Sequence, residues 1–243
     1  MASVYKILDL YCGAGGAGEG YRRAGFDVTG VDIVCQLRNP HRFINGDALE
    51  YLREHGGDFD AVHASPPCQC HSFMTKGRWK DRLSKHVNHI PLVREILLSL
   101  GLPYVIENVA GARSELINPV MLCGSMFALQ TAAGAQLRRH RLFETSFPIN
   151  AVPACHHAAG NAIGVYGGGQ HPMRQTIAVY GHGGGSSTRD GVKEYGAEDR
   201  RDAMGIHWMS GKELSQAIPP AYTEFIGRAL KAVLNNGQGG GIQ

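Results

Sequence analysis

The chain has 243 residues, 43% of them hydrophobic, and a formal net charge of +3. That content supports one sizeable core, and no apolar run reaches the length of a membrane span, so a spanning protein is excluded. The mildly basic balance permits a nucleic-acid partner without requiring one. Met1 leads directly into a strand-like segment with no secretory leader, so the expectation is a soluble cytoplasmic protein. The six cysteines (Cys12, Cys35, Cys68, Cys70, Cys123 and Cys155) are scattered and include no CxxC, which points to reduced thiols.

In chain order, Tyr5 to Tyr11 reads as a strand that ends at a glycine-rich turn. Glu19 to Ala24 reads as a helix, and Phe26 to Val31 and Phe43 to Asn45 as strands. Phe59 to Ala64 is a further strand that ends at two prolines. Ile90 to Leu100 has helical spacing and is closed by Gly101, and Tyr104 to Val109 is the next strand. Strands alternating with helices predict an α/β fold with a doubly wound, mostly parallel sheet, whose ligands bind at the carboxyl edge. The Gly/His-rich stretch 147–201 contains a weak echo, GVYGGGQ and AVYGHGGG, and reads as a small insert. The expected organisation is therefore a catalytic α/β unit over 1–146 and the insert over 147–201. A segment over 202–235 returns to the first unit through a helix from about Ala221 to Val233, and a disordered tail covers 236–243.

Chemistry-bearing motifs fall where the strands end. Gly13, Gly15 and Gly18 satisfy GxGxxG, with Asp32 closing the next strand. This suits a dinucleotide, but equally a nucleoside ligand without pyrophosphate, such as S-adenosylmethionine. Asp9 inside the first strand argues against the NAD version. Asp32 and Asp47, at successive strand ends, suit a ribose diol and an adenine amino group, although each alone fits a turn or cap. In ASPPCQCHSF (Ala64 to Phe73), Cys68 is a nucleophile on a shaped loop, part of a Cys68/Cys70/His71 metal site, or a buried thiol. TKGRWKDRLSKH follows, with Lys76, Arg78, Lys80, Arg82 and Lys85 around Trp79, a composition suited to phosphate contacts and wedge insertion.

Taken together, these motifs resemble the DNA (cytosine-5) methyltransferases, as a small phage- or bacterial-type member with a reduced target-recognition region. The resemblance runs in order through most of the chain outside the insert. It begins with Asp9-Leu10-Tyr11 and Gly13, Gly15 and Gly16, then continues through Pro66-Pro67-Cys68-Gln69 and Glu107-Asn108-Val109. LRRHR (Leu137 to Arg141) and Gln216-Ala217-Ile218-Pro219-Pro220 complete it. It implies S-adenosyl-L-methionine as cofactor, with Tyr11 stacked on adenine, Asp32 on the ribose and Asp47 on the adenine amino group. Asp9, Gly13, Gly15, Gly16, Pro66, Gln216 and Ala217 would complete the cofactor site. Cys68 would add as a thiolate to C6 of a flipped-out cytosine and so activate C5. Glu107, protonated by burial, would donate to N3, and Arg139 and Arg141 would support the base. Gln69, Ser72, Lys76, Arg78 and Asn108 would contact substrate or DNA. The implied partner is double-stranded DNA, met by a monomer in a bacterial or phage-infected cell.

The chain departs from the family pattern in three places. Leu137 stands where a glutamine is usual, Ser215-Gln216 stands where Gly-Asn is usual, and the segment before the last motif is compressed into AMGIHWMS. The insert is short for a target-recognition region. A free cytosine nucleotide, RNA, another transferred one-carbon group, or a non-catalytic DNA-binding role therefore stays open. An NAD-dependent oxidoreductase leaves Cys68 and Glu107 without a purpose. Cys155, His156, His157, His171 and His182, with Cys70 and His71, lack the paired spacing of structural zinc sites, so no metal is expected.

Overall fold

In the computed structural model, the described residues are 4–67, 87–157, 162–164 and 196–238. Seven strands form one sheet: β1 (Lys6–Leu10), β2 (Asp27–Asp32), β3 (Arg42–Asn45), β4 (Ala61–Ala64), β5 (Tyr104–Asn108), β6 (Val120–Leu122) and β8 (Arg141–Thr145). Their order is β3-β2-β1-β4-β5-β8-β6. The first five strands run parallel, and β8 is antiparallel to both β5 and β6. A second, two-stranded sheet pairs β7 (Gln136–Arg138) with β9 (Ala162–Gly164) in parallel. The helices are α1 (Gly16–Arg23), α2 (Ala48–His55), α3 (His89–Leu100), α4 (Ala197–Met204), α5 (Gly211–Gln216) and α6 (Pro220–Gln238).

The strand pleat sends alternate side chains to opposite faces. Ile7, Ala61, Val105 and Phe143 pack beneath α1 and α6, together with Tyr21, Tyr222, Ile226 and Leu230. Leu8, Leu10, Val62, Ile106 and Leu142 pack beneath α2 and α3, together with Leu52, Ile90, Val93 and Leu97. Both faces are buried, so the strands read as continuous apolar runs. Arg94 on α3 fixes the second layer by a bidentate pair of 2.7 Å bonds to Glu144 on β8. The same carboxylate accepts from the Tyr104 hydroxyl and the Ile117 amide, which gives a buried charge a full set of partners.

The end of the chain returns to its beginning. α6 lies along α1, and Gly20 makes the approach possible: a Cβ there would lie 2.1 Å from both the Pro220 carbonyl oxygen and the Thr223 hydroxyl. Thr223 Oγ1 donates to the Ala17 carbonyl at 2.7 Å. α6 begins at Pro220, the helix position where a missing N–H costs nothing.

Three features differ from the sequence expectation. α1 starts at Gly16, earlier than expected, because the left-handed Gly15 at its N-cap turns the chain straight into the helix. α6 runs to Gln238, into the stretch expected to be disordered. α2 was not anticipated, and it follows directly from Asp47, whose side chain accepts from the Leu49 and Glu50 amides. Among the described residues, no helix is long and apolar enough to cross a membrane.

Gly20→Ala is expected to lower stability by at least about 1–3 kcal/mol through overpacking against α6. This would be read as a lower urea midpoint at unchanged slope. Gly57→Ala, where a Cβ meets nothing within 4 Å, should leave the midpoint in place.

Candidate active site

The carboxyl edge of the parallel strands gathers the motifs. β1 ends at Leu10, and Tyr11 follows with φ of 57°, a left-handed conformation uncommon for a bulky residue and found where a turn is held for a purpose. The Tyr11 hydroxyl lies 3.0 Å from His89 Nδ1 at the start of α3. Gly13 has φ of 49°, and a Cβ there would meet nothing within 4 Å, so this backbone faces open space. The opposite holds at Gly16, where a Cβ would come within 2.7 Å of the Ile218 carbonyl oxygen. The Ala217-Ile218 segment is therefore seated directly on the glycine turn, and Trp208 Nε1 donates to the Ala14 carbonyl from the same side.

Asp32 shapes the turn: its carboxylate accepts from the Gly13 amide and the Val34 amide, both at 2.9 Å. Asp47 caps α2 through one oxygen, Oδ1. Gln216 is exposed at the end of α5, and Ala217 is buried.

Asp9, His63 and Glu107 lie on the sheet face under α1, with Asp9 and His63 in register on adjacent strands. His63 links further polar groups here. Tyr21 Oη lies 2.9 Å from His63 Nδ1, and His63 Nε2 lies 2.9 Å from Ser65 Oγ. Ser65 in turn lies beside Glu107 and favours its charged form. Burial pushes the His63 pKa down to about 3, so the ring is neutral with a single N–H. His63 therefore bridges Tyr21 and Ser65 through its two ring nitrogens, one protonated and one bare. Sequence reasoning missed Tyr21, His63 and Ser65. The available signal was a histidine inside an apolar strand, two residues before the Ser65-Pro66-Pro67 turn.

Glu107 is 6% exposed and pairs with Arg141, Oε1 to Nε at 3.1 Å. Burial raises its pKa, and Arg141, Arg139 and Ser65 pull against that without reversing it. The side-chain amide of its neighbour Asn108 is buried, donating to the Pro66 carbonyl at 2.9 Å and accepting from the Val109 amide. Asn108 therefore fixes the proline turn, with both ends of its side chain engaged with backbone. Pro66 is buried in the turn that β4 feeds.

Arg139 is fully buried and donates to the Ser215 carbonyl at 2.9 Å, while its own carbonyl accepts from the Tyr222 hydroxyl at 2.6 Å. The arginine segment and the C-terminal segment thus brace each other. Cys68, Gln69, Ser72, Lys76 and Arg78 lie outside the described residues, as do Cys70, His71, His171 and His182. A different cluster emerges at the other end of the sheet: Cys155 and His157 meet Cys123 and His140, whereas the His156 carbonyl accepts from Gln136. The expectation of no metal did not foresee this meeting.

Solved structures share this architecture. A protein described as a DNA modification methyltransferase encoded within a prophage (E. coli) superposes with a TM-score of 0.56 at 16% identity, covering 96% of this chain and 100% of that one. The Dnmt2 methyltransferase of S. pombe gives 0.58 at 12% identity, covering 95% and 99%. The chain has the Rossmann-like fold of the methyltransferases. In sequence it is similar to two Type II methyltransferases. M.AgeI of Thalassovita gelatinovora is 31% identical over 125 residues, 45% of this chain and 29% of that protein. M.XorII of Xanthomonas oryzae pv. oryzae is 32% identical over 120 residues, 43% and 28%. The chain thus spans less than a third of the length of these curated relatives. No protein-family profile matches it.

Asp9 supplies a pH test of this methyltransferase-fold interior. Burial raises its pKa to about 8, against the pull of the Gly18 amide, with Asp32 and Glu107 adding to the rise. The neutral carboxyl is the form the fold accommodates. Its contribution to stability is complete below the ordinary carboxylate pKa and is lost as pH rises from about 4 to about 8. Thermal melts of Asp9→Asn should therefore diverge from the parent in the variant's favour across that window and run parallel above it.

Proposed function

We propose that the chain is an S-adenosylmethionine-dependent methyltransferase acting on cytosine C5 in DNA, with Cys68 as nucleophile and Glu107 as proton donor. One observation carries this reading. Asn108 ties the proline turn that immediately precedes Cys68 to the strand that presents the buried Glu107–Arg141 pair. A nucleophile next in sequence to that turn would then work with a carboxylic acid whose burial favours its neutral form, the pairing that activation of a cytosine ring requires.

The residues at the glycine turn fit the cofactor. Gly13 offers backbone with open space beside it, Tyr11 presents its ring at the strand end, and Asp32 and Asp47 lie at the next two strand ends. Each acid retains acceptor capacity: Asp32 accepts once on each oxygen, and Asp47 uses only Oδ1 for its cap. Gly15 and Gly16 shape the turn, and Ala217 with Gln216 bounds it from the C-terminal side. S-adenosylmethionine supplies, when bound, an electrophilic methyl group.

The chain's own part follows. The Cys68 thiolate forms a bond to C6 of the cytosine. Glu107 gives its proton to N3, so that the added electron pair rests on C5 rather than as charge on the ring. Arg141, paired with Glu107, is placed to support O2. When C5 has taken the methyl group, its proton passes to water, the Cys68–C6 bond breaks and N3 returns its proton to Glu107, which restores the ring, the thiolate and the acid. The base has to leave its stack to reach such a site, so the substrate is a flipped nucleotide in double-stranded DNA. We assign the protein as acting as a monomer.

Incubation with methyl-labelled cofactor and, in parallel, duplex DNA, free dCMP and RNA tests this. Label recovered as 5-methylcytosine in DNA is the expected result. Label only in dCMP or RNA would replace the substrate and keep the chemistry, and no transfer to any of them would overturn the enzyme reading. Cys68→Ser should abolish transfer. Glu107→Gln, which cannot give up a proton, should slow it by about 10²–10⁴-fold, the usual range for a general acid.

A further inference from the structure

We propose that Cys123, His140, Cys155 and His157 form a structural zinc site that ties the arginine segment and the start of the glycine-rich stretch to the edge of the sheet. Cys123 directly follows β6, His140 sits between β7 and β8, and Cys155 and His157 lie on the chain between β8 and β9. All four ligand atoms lie within 4.8 Å of one another.

The distances fit a metal polyhedron. A tetrahedral ion with bonds of about 2.3 Å to sulfur and about 2.0–2.1 Å to nitrogen separates a sulfur from a nitrogen by about 3.6 Å. Three such edges are seen: Cys123 Sγ to His157 Nε2 at 3.5 Å, Cys155 Sγ to His140 Nε2 at 3.5 Å, and Cys155 Sγ to His157 Nε2 at 3.1 Å. The His140 and His157 rings stand 5.1 Å apart at 60° and are not stacked.

Hydrogen bonding alone does not account for this arrangement. A ring nitrogen carries either one proton or one lone pair, so His157 Nε2 can serve one of its two thiol neighbours well and the other poorly. A cation at the centre serves every contact at once. Two cysteines and two histidines are the donor set that suits zinc, and four protein ligands leave no position for a reacting water, so the site is structural. Binding converts two thiols to thiolates, releases two protons and leaves the site electrically neutral. Ser125 Oγ, 3.5 Å from Cys155 Sγ, supplies the outer hydrogen bond that such thiolates usually receive.

The position gives the ion its consequence. His140 lies between Arg139, held to the C-terminal segment, and Arg141, paired with Glu107. A metal at His140 would fix that segment at a further point beside its bonds to Ser215 and Tyr222. This inference stands whether or not the chain methylates DNA.

The test is metal analysis of the full chain purified without chelator, followed by exchange of zinc for cobalt. About one zinc per chain is expected, with a cobalt form showing the strong visible bands of tetrahedral sulfur and nitrogen coordination. Cys155→Ser and His157→Ala should lose the zinc, and Cys35→Ser, at an exposed free cysteine, should keep it. Removal of the metal by chelation should lower the melting temperature of the parent. The proposal is overturned if the parent, dialysed against zinc, retains none. It is overturned equally by a weak octahedral cobalt spectrum, by zinc retained in Cys155→Ser, or by a Cys123–Cys155 disulfide in the metal-free chain. The cobalt spectrum of the parent decides even where a variant fails to fold.

Discussion

Thr223 donates its hydroxyl to the Ala17 carbonyl across 206 positions of sequence, and the rest of the molecule depends on the closeness that bond reflects. Gly20 of α1 faces α6 and Gly16 faces the Ala217-Ile218 segment just before it, and neither has room for a side chain. The helix that follows the glycine turn is therefore set by the last helix of the chain. The same C-terminal segment reaches the arginine motif through the Ser215 carbonyl and the Tyr222 hydroxyl. Glycine turn, arginine segment and sheet are held in one register by a segment of about ten residues, so a loosened α6 would disturb all three together.

Beneath that clasp, burial and charge are balanced differently at three acids. Glu144 has a bidentate arginine, a tyrosine hydroxyl and a backbone amide, and it serves as an anchor. Asp9 and Glu107 lie on the α1 face, where desolvation outweighs their partners and raises both pKa values. For Glu107 this sits beside an arginine that prefers the charged form. Such opposition suits an acid that must give up a proton and recover it. The chain from Tyr21 through His63 to Ser65 runs up beside this carboxyl.

The sheet was legible because each parallel strand is an apolar run closed by a polar or glycine signal, as at Leu10-Tyr11, Asp32 and Ala64-Ser65. β6 and β7 were not, since three residues carry too little pattern to separate strand from loop. Asp47 was readable as an acid at a strand end, but its capping of α2 shows how one carboxylate satisfies two readings. Asn108 stood beside Glu107 in the motif, yet its role is to hold Pro66, which only the adjacency of β4 and β5 reveals. The Cys/His cluster was hidden for the same reason. Cys123, His140 and Cys155 are 17 and 15 positions apart, and the sheet brings them together, not a short paired motif.

The central claim is that Cys68 bonds to a cytosine while Glu107 manages the ring's proton. It is tested most directly by duplex DNA carrying 5-fluorocytosine, which has no C5 proton to lose. With cofactor present, the account predicts a denaturation-resistant adduct of one chain with one oligonucleotide, mapped to Cys68 by peptide mass and absent in Cys68→Ser. An adduct on another residue, or 5-methylcytosine formed in ordinary DNA with no adduct from the fluorinated duplex, would contradict it.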